Sequence, residues 1–283
     1  MKHNLNITII LVILFLCAQF IGLLVTNLSI DKELTEQTGQ TSWITLPLGL
    51  ERPDLGETNT QQIIQLAIII AIVTVIALFL IRFKASNLWK YWFLMGVIFT
   101  LLLSFYILLK EIINPKIALQ ISIVAAILLA IFKVFKSNVI LHNFTELFIY
   151  SGLAIIFVPI LNLFAIIGLL ILISIYDFIA VRKTKHMVSM AKFQSKTKVF
   201  AGLLIPYGKK EAILGGGDIG FPLLFAGVVL KIYGVLPAII VAIFAALALF
   251  YLFMISKKDT FYPAMPFITV GCLLGYAISL LIF

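Results

Sequence analysis

Apolar runs of roughly 17–22 residues follow one another along the whole chain, each long enough to cross a hydrocarbon core of about 30 Å as a helix. They fall at 7–28, 63–81, 91–109, 117–132, 144–160, 163–181, 213–231, 235–255 and 261–282. Nothing else constrains the fold so much, because a run of this length in lipid must satisfy its own backbone, and a helix does so. Of the 283 residues 63% are hydrophobic and 12% charged, whereas a soluble domain is nearer half apolar and a quarter charged. The expected fold class is an all-α polytopic membrane protein with nine transmembrane helices, a multi-pass integral protein whose solvent is the lipid bilayer. The fifth and sixth runs are nearly continuous, and Pro159 and Asn162 place a tight turn between them. The first run follows Lys2 and His3 like a signal peptide. It exceeds an ordinary apolar core for one, and no small-x-small site follows, so it is expected to be retained.

Sixteen of the 21 Lys and Arg fall on one side of the alternating runs, among them Lys133, Lys136, Arg182 and Lys183. Basic residues collect in cytoplasmic loops, so the N-terminus is expected in the cytoplasm. The net charge of +9 is thereby explained without a nucleic-acid partner, and none is expected. Cys17 and Cys272 lie within apolar runs and suggest no disulfide. Two connections are long: an acidic outer one over 29–62 and a basic inner one over 182–212. The chain is expected to be a single membrane domain, 1–283, with helices 1–5 over 1–160. Helices 6–9 and the inner loop occupy 163–283.

Nearly all of the twelve acidic residues lie in loops or at the ends of runs. Glu146 reads as an interfacial residue near Lys136 and His142. Asp177 (SIYDFIA) and Asp218 (LGGGDIGF) instead lie well inside apolar runs, where a carboxylate is costly and marks a functional site. Asp177 precedes Arg182 by five residues, and Asp218 follows Glu211 by seven. At a helical rise of 1.5 Å per residue, both fall roughly 7–10 Å below the same membrane face. Antiparallel neighbours would therefore bring two carboxylates to one level, where they cannot both ionise cheaply and would share a proton. Such a pair supplies an acid and a base together.

Gly215, Gly216 and Gly217 precede Asp218, although each costs about 1 kcal/mol in a helix relative to Ala. They suit close backbone approach or unusual dihedral angles, and a glycine-lined path to a carboxylate suits an unwound peptide. Gly271 and Gly275 read instead as helix-packing positions. At the start of the last run, the prolines of Tyr262-Pro263-Ala264-Met265-Pro266 break regular hydrogen bonding, which is tolerated at membrane depth where backbone lines a cavity.

Taken in order, Tyr176-Asp177, Gly215-Gly216-Gly217-Asp218 and Pro263-Ala264-Met265 resemble the YD, GxGD and PAL motifs of the presenilin and signal peptide peptidase family. They fall on the sixth, seventh and ninth runs, as in that family, with Met265 in place of the usual Leu. The resemblance implies a presenilin-like fold and an intramembrane aspartyl endopeptidase acting on transmembrane proteins or peptides. It implies Asp177 and Asp218 as catalytic residues, with Gly215, Gly217, Pro263 and Ala264 shaping the site beside Tyr176, Gly216 and Met265. The cytoplasmic N-terminus and Pro266 are closer to presenilin than to signal peptide peptidase. Short loops look like a compact prokaryotic or archaeal homologue, which would place it in the cell membrane; a homo-oligomer is left open.

The implied chemistry uses activated water without a cofactor or metal. Val199–Ile205, apolar and partly β-branched, is a candidate to pair as a strand with unwound substrate. The histidines His3, His142 and His186 form no HExxH, and none sits within a run to activate a serine. The rival class is a proton- or ion-coupled transporter with both aspartates as a relay, but no inverted repeat is evident.

Overall fold

The computed structural model describes residues 5–54, 58–83, 86–136, 138–181, 200–208, 210–256 and 262–283. The chain begins with α1 (Leu5–Leu28). An outer connection follows, with β1 (Ile30–Asp31), α2 (Lys32–Thr38), β2 (Ser42–Trp43) and a 3-10 turn at Pro47–Gly49. Next come α3 (Asn59–Arg82), α4 (Ser86–Lys110), α5 (Pro115–Phe135), α6 (Val139–Ile160) and α7 (Leu163–Ile179). A hairpin of β3 (Gly202–Tyr207) and β4 (Lys210–Gly215) then leads into α8 (Gly216–Tyr233), α9 (Val235–Ile255) and α10 (Met265–Ile282). Among the described residues, seven helices are long and apolar enough to cross a membrane, and two shorter apolar helices lie within α3 and at α7. The protein is a multi-pass integral membrane protein.

The largest core joins α1 with α6 to α10. Leu11 and Phe15 of α1, Leu170 of α7 and Phe225 of α8 are fully buried in it. The first helix is thus an interior element, and Gln19 Nε2 donates to the Ile219 carbonyl of α8 at 2.9 Å. The α9–α10 contact is made close by small residues: a Cβ added to Gly271 would lie 2.6 Å from Ala248 Cβ, and one added to Gly275 2.9 Å from Val241 Cα. These two glycines are packing positions, as expected.

The turn between α6 and α7 falls at Leu161–Asn162, two residues beyond Pro159. The proline ends the helix because it has no N–H for the Ile155 carbonyl one turn back. Arg52 Nε of the outer connection donates to that carbonyl at 3.2 Å, and Lys231 Nζ donates to the Pro159 carbonyl at 2.7 Å. Asn162 then caps α7, its side chain accepting from Ala165 N at 2.8 Å. Such a cap is worth about 1 kcal/mol.

Two expected helix starts move. Residues 213–215 are strand rather than helix, because β4 pairs with β3 in register, Leu203 opposite Leu214 and Gly202 opposite Gly215. The last helix begins at Met265, not 261, since a helix does not run through the consecutive restrictions of Pro263 and Pro266. Residues 182–199 of the inner loop lie outside the described residues.

Candidate active site

Asp177 lies in the last turns of α7, just before the helix loosens into a π turn at residues 180–181. It is only 3% exposed. The amide of Met265 donates to Asp177 Oδ2 at 3.1 Å, and the Ala264 amide also faces this carboxylate. The reason lies in the sequence of α10. Met265 is its first helical residue, so the Met265 amide has no partner within the helix. The Pro-Ala-Met-Pro stretch thus fixes where the helix starts and aims its electropositive end at Asp177. One turn earlier on α7, Ser174 Oγ lies 2.8 Å from Thr269 Oγ1 of α10, which holds the two helices in register.

Asp218 occupies the first turn of α8 and is half-buried. Gly215 is the N-cap, so Asp218 is the third helical residue, the place from which a carboxylate reaches back to the cap amide. The Gly215 amide faces the Asp218 carboxylate from that position. Helices α7, α8 and α10 pack on one another, and the two carboxylates come within electrostatic reach. Each therefore faces amides at a helix N-terminus. Among the described residues neither has a Lys or Arg ion-pair partner. Nor do three His, Cys, Asp or Glu side chains there cluster to hold a metal.

The three glycines differ. None has a left-handed φ, so unusual dihedrals are not their purpose. Close approach is, at Gly216: an added Cβ would lie 2.9 Å from the Tyr150 hydroxyl oxygen and 3.3 Å from the Ala201 carbonyl oxygen. One added to Gly215 would lie 3.3 Å from Asp218 Oδ2, whereas Gly217 is exposed and would meet only Phe221 at 3.5 Å. Pro263 and Met265 are buried and Ala264 half-buried beside Asp177. Tyr176 is turned about 100° round α7 from Asp177 and is 43% exposed.

The strand expected at Val199–Ile205 forms at Gly202–Tyr207, and Val199 lies outside the described residues. The edge of β3 that faces away from β4 is already taken. Asn143 of α6 donates to the Leu204 carbonyl at 2.7 Å and accepts from the Leu204 amide at 2.9 Å. His142 Nε2 lies 2.8 Å from the Gly202 carbonyl oxygen, and Pro206 has no amide to offer. Since Leu204 faces outward, its partner Ile213 faces outward on β4. Among the described residues no backbone bond engages that edge of β4, and Ile213 is 44% exposed.

A family model for signal-peptide peptidase, presenilin aspartyl protease matches residues 42–283. The chain belongs to this aspartyl protease family. It is by that membership an intramembrane aspartyl protease. Its fold is similar to that of a presenilin family intramembrane aspartate protease solved in two space groups. One structure gives a TM-score of 0.66 at 17% identity, covering 98% of this chain and 99% of that one. The other gives 0.65 at 17% identity, covering 96% and 97%. Comparison with curated proteins returned no match.

The presenilin-family motifs do not include the polar cluster that adjoins the site. Glu146 is not interfacial but fully buried, and its partner is Lys133, at 2.6 Å, rather than Lys136. Lys133 is not a loop residue but belongs to α5 and is 5% exposed. The legible signal was a Glu and a Tyr four residues apart on one helix face, Glu146 and Tyr150, with a lysine ending the preceding run.

Proposed function

We propose that Asp177 and Asp218 are the catalytic pair, hydrolysing a peptide bond in an unwound stretch of a transmembrane protein or peptide. The observation that carries this reading is their approach at two helix N-termini with, among the described residues, no cation paired to either. Amide dipoles make negative charge tolerable there, while like-charge proximity favours one shared proton. One ionised carboxylate takes a proton from water as the water oxygen attacks the scissile carbonyl carbon. The protonated carboxyl gives its proton to the carbonyl oxygen, forming a gem-diol. Collapse of the diol, with a proton delivered to the departing amide nitrogen, breaks the C–N bond. No covalent enzyme intermediate is required.

A helical substrate hides its carbonyls in its own hydrogen bonds, so it must be extended where it is cut. The edge of β4 that no backbone bond engages among the described residues supports β-strand addition there, with Gly215–Asp218 directly following. Strand addition at β3 is disfavoured by the Asn143 and His142 bonds. The Ala264 and Met265 amides, just after Pro263, face Asp177, and Tyr176 lines the exposed flank of α7.

The test is cleavage of a single-span reporter by the purified protein in lipid, comparing wild type with Asp177→Ala and Asp218→Ala. Cutting by wild type and loss in each variant is expected. Cutting that persists in either variant overturns the pair. A wild type that cuts no reporter, while the substitutions alter proton or ion flux, would favour a transport relay instead.

A further inference from the structure

Resting on that reading, we propose that the buried cluster of Lys133, His142, Glu146 and Tyr150 is the positioning device of the active site, holding the β3–β4 hairpin with one arm and the Gly216–Asp218 turn with the other.

Lys133, Glu146 and Tyr150 are 5%, 0% and 4% exposed. Taking such charges out of water is costly, and a buried pair of this kind seldom improves on apolar residues of similar volume. Its presence is therefore better explained by what it holds than by net stability. The cluster is complete. Lys133 Nζ donates to Glu146 Oε1 at 2.6 Å, to His142 Nδ1 at 3.1 Å and to the His142 carbonyl at 3.4 Å, which uses all three ammonium hydrogens. The Tyr150 hydroxyl donates to Glu146 Oε2. Because the Gly202 carbonyl can only accept, His142 carries its hydrogen on Nε2, leaving Nδ1 as the acceptor that Lys133 needs. A fully satisfied buried network is rigid.

Two arms leave it. The first runs through His142 to Gly202, and beside it Asn143 clamps both polar groups of Leu204. The inner edge of the hairpin is thereby fixed and β4 is left outermost. The second runs through Tyr150. Its ring lies against Gly220, and its hydroxyl sits where a side chain on Gly216 would lie. With that hydroxyl anchored on Glu146, the ring sets how close the first turn of α8 comes to α6, and so where Asp218 stands relative to Asp177. Tyr150, Glu146 and Asn143 are positioning residues, not catalytic ones.

The two arms act on different kinetic parameters, which a purely structural role would not separate. In the full chain in lipid, with the single-span reporter, Tyr150→Phe removes only the hydroxyl. It is expected to lower kcat about tenfold with KM within about twofold. Asn143→Leu frees the inner edge of the hairpin and is expected to raise KM about tenfold with kcat within about threefold. Lys133→Met with Glu146→Gln, which keeps an acceptor for the tyrosine, should retain more turnover than Lys133→Met with Glu146→Leu. Rates are referred to folded protein by thermal melting of each variant. Losses that follow Tm equally in both arms, or a Tyr150→Phe enzyme indistinguishable from wild type, overturn the proposal while the aspartate pair stands. A wild type that does not cut, or an Asp218→Ala enzyme that does, overturns the protease reading and this proposal with it.

Discussion

Two groups of charge are taken out of water in this molecule, and they are built on opposite plans. Lys133 and Glu146 carry opposite charges, are almost fully buried, and have their hydrogen bonds satisfied by His142 and Tyr150. Asp177 and Asp218 carry like charges and have no cationic partner among the described residues. Their carboxylates face backbone amides at the starts of α10 and α8. The first plan leaves nothing free to react. The second leaves a proton to be shared and an open side at Asp218, which is only half-buried. Neutralised charge builds the frame, and charge held by dipoles alone remains available for chemistry.

The sharpest way to break this contrast is to neutralise the like-charged pair without changing its shape. Asp177→Asn and Asp218→Asn should each lower reporter cleavage by about 10³-fold or more, because general acid–base exchange is lost. Thermal melting should be unchanged or raised, since no ion pair is removed. A fall in Tm instead would mean that the aspartates are structural.

Breaking the opposite-charged pair should do the reverse. Glu146→Leu alone strands Lys133 in the core and should cost about 3–5 kcal/mol of stability, read by melting. Adding Lys133→Met should restore most of that stability. If the double variant melts as low as the single one, the cluster is held by something other than its charge pairing.

A smaller effect separates the amide that holds Asp177 from the helix that carries it. Met265→Pro deletes the N–H but suits the first position of a helix. Turnover per folded molecule should fall about tenfold. Tm should fall as well, because the buried Met265 side chain is lost. Met265→Ala, which keeps the amide, should match that Tm loss while retaining more turnover. Smaller still, Ser174→Ala or Thr269→Val should cost about 1 kcal/mol, the worth of a single hydrogen bond, with cleavage close to wild type at temperatures below melting.

Much of the molecule is legible from its residues in order. Run length and the intolerance of lipid for unsatisfied backbone give the helices. Pro159 and Asn162 give the α6–α7 turn, and Gly271 and Gly275 give a close helix contact. Asp177 and Asp218 stand out because ionisable groups inside apolar runs are costly. These are local properties, or properties of periodicity, and need no knowledge of partners.

Other features depend on residues far apart in the chain. Residues 213–215 read as the start of a helix by hydropathy and become strand only because β3 offers a ladder to pair with. Gly216 is restricted by Tyr150, 66 positions away, and not by its own dihedral angles. Glu146 looks interfacial until Lys133 is brought to it from another helix. Sequence by itself determined a membrane-spanning helical chain with two costly aspartates, because the bilayer penalises each residue according to its own chemistry. Only the tertiary structure decided which strand edge stays open, which amides hold each carboxylate and which charges cancel, because hydrogen bonds and ion pairs depend on distances of a few ångströms between helices.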